Sequence, residues 1–139
     1  MFGKIVNQWK KIANYFTYRG DFDKYFIQLD ASLRIAEYRS APLEKTWNSF
    51  YTEESARAAV EIVRNILEDS SLKTIPPQGH LYGFISLRGS VNVVNTAAWT
   101  NSALNKEHYH CFNVFSSSVD AQRVLNQIQR TLMKIKQKH

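Results

Sequence analysis

The chain has 139 residues, 44% of them hydrophobic and 13% aromatic, which suits one globular domain and excludes a disordered polymer or two comfortable domains. A net charge of +6 permits nucleic acid, an anionic surface or an acidic partner without demanding any of them. A single cysteine, Cys111, excludes an internal disulfide framework and a cysteine-built metal centre, so a cytoplasmic protein is the simplest expectation.

Residues 1–20 read as an N-terminal amphipathic helix. Phe2, Ile5, Val6, Trp9, Ile12, Ala13 and Phe16 recur at spacings of three and four, and Gly20 supplies a stop. Lys4, Lys10 and Lys11 interrupt its apolar residues and no small-residue cleavage site follows, so a signal peptide is not expected. No apolar run in the chain approaches the roughly 20 residues of a membrane span. Such a helix is expected to lie on its own sheet, on another subunit or on a membrane surface, with the first two favoured because Trp, Phe and Ile at this period usually mean core.

The remainder, residues 21–139, reads as a single α+β domain. From Tyr25 to Ala36 apolar and polar residues alternate, the pattern of a half-buried strand that is either long or broken near Ala31. A loop around Pro42 leads to a second helix over about Thr52 to Asp69, with Thr52 as cap and Glu53 and Glu54 in its first turn. Pro76-Pro77-Gln78-Gly79 forms a turn. Leu81 to Leu87 and Val91 to Thr96 form two strands joined by Arg88-Gly89-Ser90, a hairpin signal. Trp99 to Glu107 reads as a polar loop and His108 to Phe115 as another strand. Ser117 and Asp120 then approximate a capping box for a last helix whose stripe is Ala121, Val124, Leu125, Ile128, Leu132 and Ile135. Its basic residues, Arg123, Arg130, Lys134, Lys136 and Lys138, read as a polar face and tail. With more strands than crossovers, the expected architecture is a two-layer α+β sandwich, mostly antiparallel, with helices packed on one face.

Three stretches of this succession resemble the small prokaryotic S-adenosylmethionine decarboxylases. Tyr25-Phe26-Ile27-Gln28-Leu29-Asp30 is similar to the family's opening strand. Pro77-Gln78-Gly79 followed closely by Gly83 is similar to its Pro-Gln-Gly turn, and Val114-Phe115-Ser116-Ser117 to its Val-Phe-Thr-Cys run. The resemblance covers about Asp23 to Leu132 and leaves the N-terminal helix as an addition. It implies a polyamine-biosynthesis lyase that cuts its own backbone before a serine and turns that serine into a pyruvoyl group, the electron sink for decarboxylation. The serine is Ser90. It also implies a homo-oligomer with sites near subunit interfaces.

The groups around that serine have changed. Gly89 and Val91 stand where the family has glutamate and histidine, and Asn95 stands where a second histidine assists processing, followed by a matching Thr96. Ser117 stands where the family has a proton-donating cysteine, and a hydroxyl is a far poorer acid than a thiol. The stretch from Trp99 to Glu107 looks like an insertion. The resemblance with these changes implies altered or lost self-processing, and a protein that binds S-adenosylmethionine or a related small molecule, or regulates a partner. Ser90, Asn95 and Ser117 are the candidate catalytic positions.

Two alternatives stand beside it. On a strand, His108 and His110 would share one face, which is metal-ligand geometry and also the histidine-hydrophobe-histidine motif of rolling-circle nucleases. His80 could add a third ligand; the nucleophilic tyrosine would have to be Tyr15 or Tyr18, since none follows Tyr109. The other alternative is a non-enzymatic, oligomeric interaction domain whose aromatics (Tyr15, Tyr18, Tyr25, Phe26, Trp47, Phe50, Tyr51) mark a partner surface.

Overall fold

The alternation that begins at Tyr25 breaks at Ala31. In the computed structural model, which describes residues 23–37 and 46–138 (137 and 138 by backbone alone), β1 (Tyr25–Leu29) turns through Asp30–Ser32 into β2 (Leu33–Glu37). The register runs from Tyr25 opposite Glu37 to Leu29 opposite Leu33, and Asp30 N–H donates to the Ser32 carbonyl at 3.2 Å. The N-terminal helix, Gly20, Tyr15, Tyr18 and the loop at Pro42 lie outside the described residues.

A two-residue strand β3 (Ser49–Phe50) pairs with the start of β1 and leads into α1 (Glu53–Ser70). Thr52 caps α1 as its composition predicts: its hydroxyl accepts from Ser55 N–H at 3.1 Å. Small residues, Ala56 and Ala59, bring this helix onto the sheet with nothing of either left exposed. The Pro77–His80 turn closes with His80 N–H donating to the Pro77 carbonyl at 3.0 Å, and Gly79 takes the positive φ of 83° that a side chain would resist.

β4 (Leu81–Arg88) and β5 (Val91–Ala98) form the hairpin, in unbroken register from Leu81 opposite Ala98 to Arg88 opposite Val91. Only Gly89 of the two turn residues has positive φ, 61°, the pattern of a type II′ turn that Gly-Ser favours. The sheet order is β2-β1-β4-β5, with β3 beside β1 and every pairing antiparallel. This is the expected α+β class: an open antiparallel sheet of five strands with three helices among the described residues. None of these helices is long and apolar enough to cross a membrane.

Ile27, Leu29, Ile85 and Leu87 point to one face, where α1 and the last helix, α3 (Ser118–Lys138), cover them. Val63 and Leu67 of α1 and Ile128 and Leu132 of α3 are buried there completely. Each such side chain contributes about 1.5–3 kcal/mol, so this layer carries most of the folding free energy. Trp47 and Phe50 pack into or against the same core, which accounts for two aromatics that could have marked a partner surface.

Two expected elements are corrected. Residues expected as a polar loop and then a strand form a helix, α2 (Ala103–His110), lying against the opposite face of β4, so the helices do not all pack on one face as the two-layer expectation had it. Ser102 and Asn105 make a capping box, with Asn105 where Glu or Gln is usual, and that box starts a helix whose apolar periodicity is weak. It ends in a Schellman arrangement: Asn113 N–H donates to the His108 carbonyl at 2.8 Å and Phe112 N–H to the Tyr109 carbonyl at 3.1 Å. Phe112 therefore holds φ 62°, a position that glycine usually fills. Of the strand expected to follow, only a bridge of Phe115 to Gly83 exists.

That bridge belongs to a larger substitution. β1 meets β4 at Leu29 opposite Leu87 and then turns away. Asn113 takes over: its carboxamide oxygen accepts from Ile85 N–H at 2.8 Å, and its NH2 donates to the carbonyls of Ile85 at 2.8 Å and Asp30 at 2.9 Å. One side chain thus serves as a piece of strand. One residue pair further on, Gly83 lets the chain before α3 approach so closely that a Cβ there would overlap the Ser117 carbonyl.

Asn113→Leu should lower unfolding free energy by about 2–4 kcal/mol, because it strands three backbone groups in the interior. Gly83→Ala should cost about 1–3 kcal/mol or more through overlap with backbone that cannot rotate aside. Urea unfolding of both variants, with unchanged m-values, checks this.

Candidate functional site

The three positions singled out by the resemblance do not converge. Ser90 is exposed at the hairpin tip. Asn95 lies five residues along β5, about 16 Å away at strand rise, and pairs with Phe84 on the face opposite α1 and α3. Ser117 sits on the α3 face, where its hydroxyl accepts from Asp120 N–H at 3.1 Å as the cap of α3. The side chain that does reach the bend is Asn48, fully buried, which donates to the Gly89 carbonyl at 3.1 Å.

His108 and His110 are not a ligand pair either. On a helix, residues two apart diverge by about 200°, so the strand-based face they were expected to share does not exist. His110 is exposed and His108 is 0% exposed. His80 is exposed on the Pro77–His80 turn. Among the described residues no group of three His, Cys, Asp or Glu side chains could hold a metal ion.

His108 belongs instead to a buried polar chain. Asp30, as a carboxylate, can only accept, so the ring donates through Nε2 to its Oδ1 at 2.8 Å. In the neutral ring Nδ1 is then an acceptor, and the Tyr82 hydroxyl donates a hydrogen bond to it at 2.7 Å. The Tyr82 oxygen in turn accepts from the Asn105 carboxamide at 2.9 Å. Ser86 donates to the other Asp30 oxygen at 3.3 Å, and Phe84 stacks on the imidazole with centroids 4.2 Å apart. Burial, first, and then the Asp30 charge raise the Tyr82 pKa, while the Asn105 hydrogen bond works the other way. With both ring nitrogens engaged and no exposed surface, His108 is a latch holding α2 on the sheet.

Beside this latch the chain forms a concavity of about 350 Å³ between the β1–β2 turn and the C-terminal end of α2. Leu33, Arg64, Glu107, His110, Cys111 and Phe112 line it. Arg64 is held by Glu61 on the next turn of α1, and Glu107 and His110 are exposed. The site thus offers a cation, a carboxylate, an imidazole and an aromatic side chain within one small volume, a set suited to a zwitterion with a ring. Cys111 is the reactive type in this set, but burial pushes its thiol up to about 11, with the Asp30 and Glu107 charges adding to the rise. It is a poor nucleophile at neutral pH.

No family model, curated protein or solved structure matches the chain.

Sequence reasoning found His108 and Ser117 but gave them other roles, and it missed Asp30, Tyr82, Asn105, Asn48 and Asn113. Only the Ser102-to-Asn105 spacing carried a local signal. The other partners described above are separated by 23 to 83 residues, and one sequence does not show which polar residues meet across such distances.

Cys111 should alkylate slowly at pH 8, where about 0.1% is thiolate for a pKa of about 11, and progressively faster towards pH 11. The folded thiol binds its proton more tightly than the ordinary value of 9.0. Its stabilising contribution is therefore complete below about pH 9 and is lost as pH rises from there to 11. Iodoacetamide rates and urea midpoints of wild type and Cys111→Ala across this range check both statements; the variant should lack this part of the pH slope.

Proposed function

We propose that this chain is an S-adenosylmethionine decarboxylase-like protein that binds a small nucleoside-like zwitterion without processing its own backbone. Kinship is supported by the order of its parts: a Pro-Gln-Gly turn directly before β4, a serine in the bend between β4 and β5, and Gly83 packed against Ser117 at the start of α3. The loss of processing rests on one observation, the surroundings of Ser90. Asn48 can polarise the Gly89 carbonyl through its amide, but an amide cannot take the proton from the Ser90 hydroxyl. Asn95, where the resemblance places the family's helper histidine, carries a carboxamide that cannot act as a base either. General-base assistance is worth about 10²–10⁴-fold, and its absence leaves an ordinary, slow peptide bond.

The ligand site is the concavity beside the latch. Arg64 and His110 suit a carboxylate, Glu107 a cationic centre, and Phe112 a ring. S-adenosylmethionine has all three features, so it is the probe of choice.

The purified protein should give one denatured mass corresponding to the uncut chain of 16.1 kDa. Fragments of residues 1–89 and 90–139, the latter with a pyruvoyl terminus and one ammonia lost, would overturn the non-processing reading. Titration calorimetry with S-adenosylmethionine should show saturable binding that weakens at least about tenfold in Arg64→Ala and in Glu107→Gln, one charge-assisted contact each. Heat that neither substitution changes would remove this concavity as the site.

A further inference from the structure

The two edges of the sheet are unlike. β2 is five residues long and carries Arg34 and Glu37, the charged protection that native edge strands normally show. β5 has none. Its eight residues are all Val, Asn, Thr or Ala, with no charge, no proline and no bulge in its register with β4. Among the described residues no strand pairs with its outer side.

The backbone groups that this edge presents can be named. Gly83 N–H and Ile85 N–H donate towards Phe115 and Asn113, away from β5. In an antiparallel ladder the residues opposite them, Thr96 and Val94, are then non-hydrogen-bonded pairs with β4. By the same alternation Asn92 joins them. Asn92, Val94 and Thr96 therefore direct N–H and C=O outward.

The helix layer continues the same wall. Val119, 66% exposed, lies beside Val94, Gln122, Arg123 and Asn126 along a concavity of about 560 Å³. On the opposite face of β5, Val91 is 58% and Val93 42% exposed. Asp120 and Arg123 pair on α3 at 3.0 Å, so the flank carries both charge signs rather than one.

We propose that β5 is the joining edge of a homodimer, in which β5 of a second copy pairs with it antiparallel across a two-fold axis. The axis stands perpendicular to the sheet, with Val94 or Asn95 near it, so the α1/α3 layers of both copies lie on the same face. A strand paired with its own copy sets identical residues close together, which an uncharged strand tolerates and a charged one does not. A strand of about 27 Å, taken through two layers about 20 Å deep, covers about 550 Å² per copy. That is roughly 1,100 Å² in total, just above what a specific interface needs. The partner is a second copy because the strip is neutral and self-complementary, with no charge to select a different chain. This proposal does not rest on the ligand-binding reading.

Sedimentation equilibrium of the full chain across about 1–300 μM tests it. Wild type should approach twice 16.1 kDa, about 32 kDa. Val93→Lys/Asn95→Lys places like charges opposite each other in either central register, on side chains that the monomer leaves exposed, and should weaken the dimer at least about 100-fold. Thr96→Pro removes one outward N–H without touching a β4 bond and should also weaken it. Asn65→Lys on α1 should leave it unchanged. Circular dichroism establishes that each variant is folded. A monomeric wild type, or a dimer that survives both edge variants, overturns the proposal.

Discussion

Between the end of β1 and the middle of β4 the sheet lacks a strand residue, and the Asn113 carboxamide occupies that place with the donor and acceptor pattern of a peptide group. The rest of the arrangement depends on it. Ile85, at the centre of β4, has its outward N–H and C=O satisfied there, which lets its side chain lie in the dry layer under α1 and α3. An unmet backbone group at that depth would cost about 1–3 kcal/mol, and three would exceed what several buried methyl groups return. The same carboxamide fixes the chain that leaves α2, so α2 and α3 are positioned together.

Asp30 is the second half of this junction. Its carbonyl accepts from Asn113 and its carboxylate accepts from His108, so one residue in a tight turn ties both faces of the sheet. This explains why the histidine is not a metal ligand although its neighbours include oxygen and sulfur atoms. An imidazole that donates to a carboxylate and accepts from a phenol has no lone pair left for a cation. The latch is closed to solvent, and at its rim Glu107 and His110 are exposed and Arg64 is partly exposed. The raised thiol of Cys111 is the corresponding boundary on the other side, since its reactivity is suppressed by the same burial that makes the latch firm.

The legible parts of the sequence were those whose physics is local. The stripe of α3, the Thr52 cap, the Pro77–His80 turn and the Gly89-Ser90 hairpin each depend on a few consecutive residues, and each lies within a residue or two of its expected place. The helix at Ala103–His110 was not legible because its apolar periodicity is slight and its stability comes from tertiary hydrogen bonds. His108 made the error larger. Read with period two it suggests a strand face, whereas its helical neighbour Asn105, three residues before it, was the relevant one. The polar contacts at Asn48 and Asn113 are illegible for a different reason. Asparagine is common in loops, and nothing in the chain distinguishes one that replaces a strand from one that faces water.

The hairpin tip connects these observations to the outer edge of β5, which no strand pairs with among the described residues. Asn48 is buried, accepts from Thr46 at 2.6 Å and donates to the Gly89 carbonyl, so the last turn of β4–β5 is fastened to the loop before β3. At its other end the hairpin is fastened by Trp99, whose N–H donates to the His80 carbonyl and whose ring packs on Tyr82. A long strand held at both ends and backed along its length by β4 loses little freedom when another strand joins it, and preorganisation of this kind lowers the cost of association. The contact at Gly89 thus has a structural consequence whether or not the peptide bond after it is reactive: it keeps the tip in register and prevents the edge from fraying.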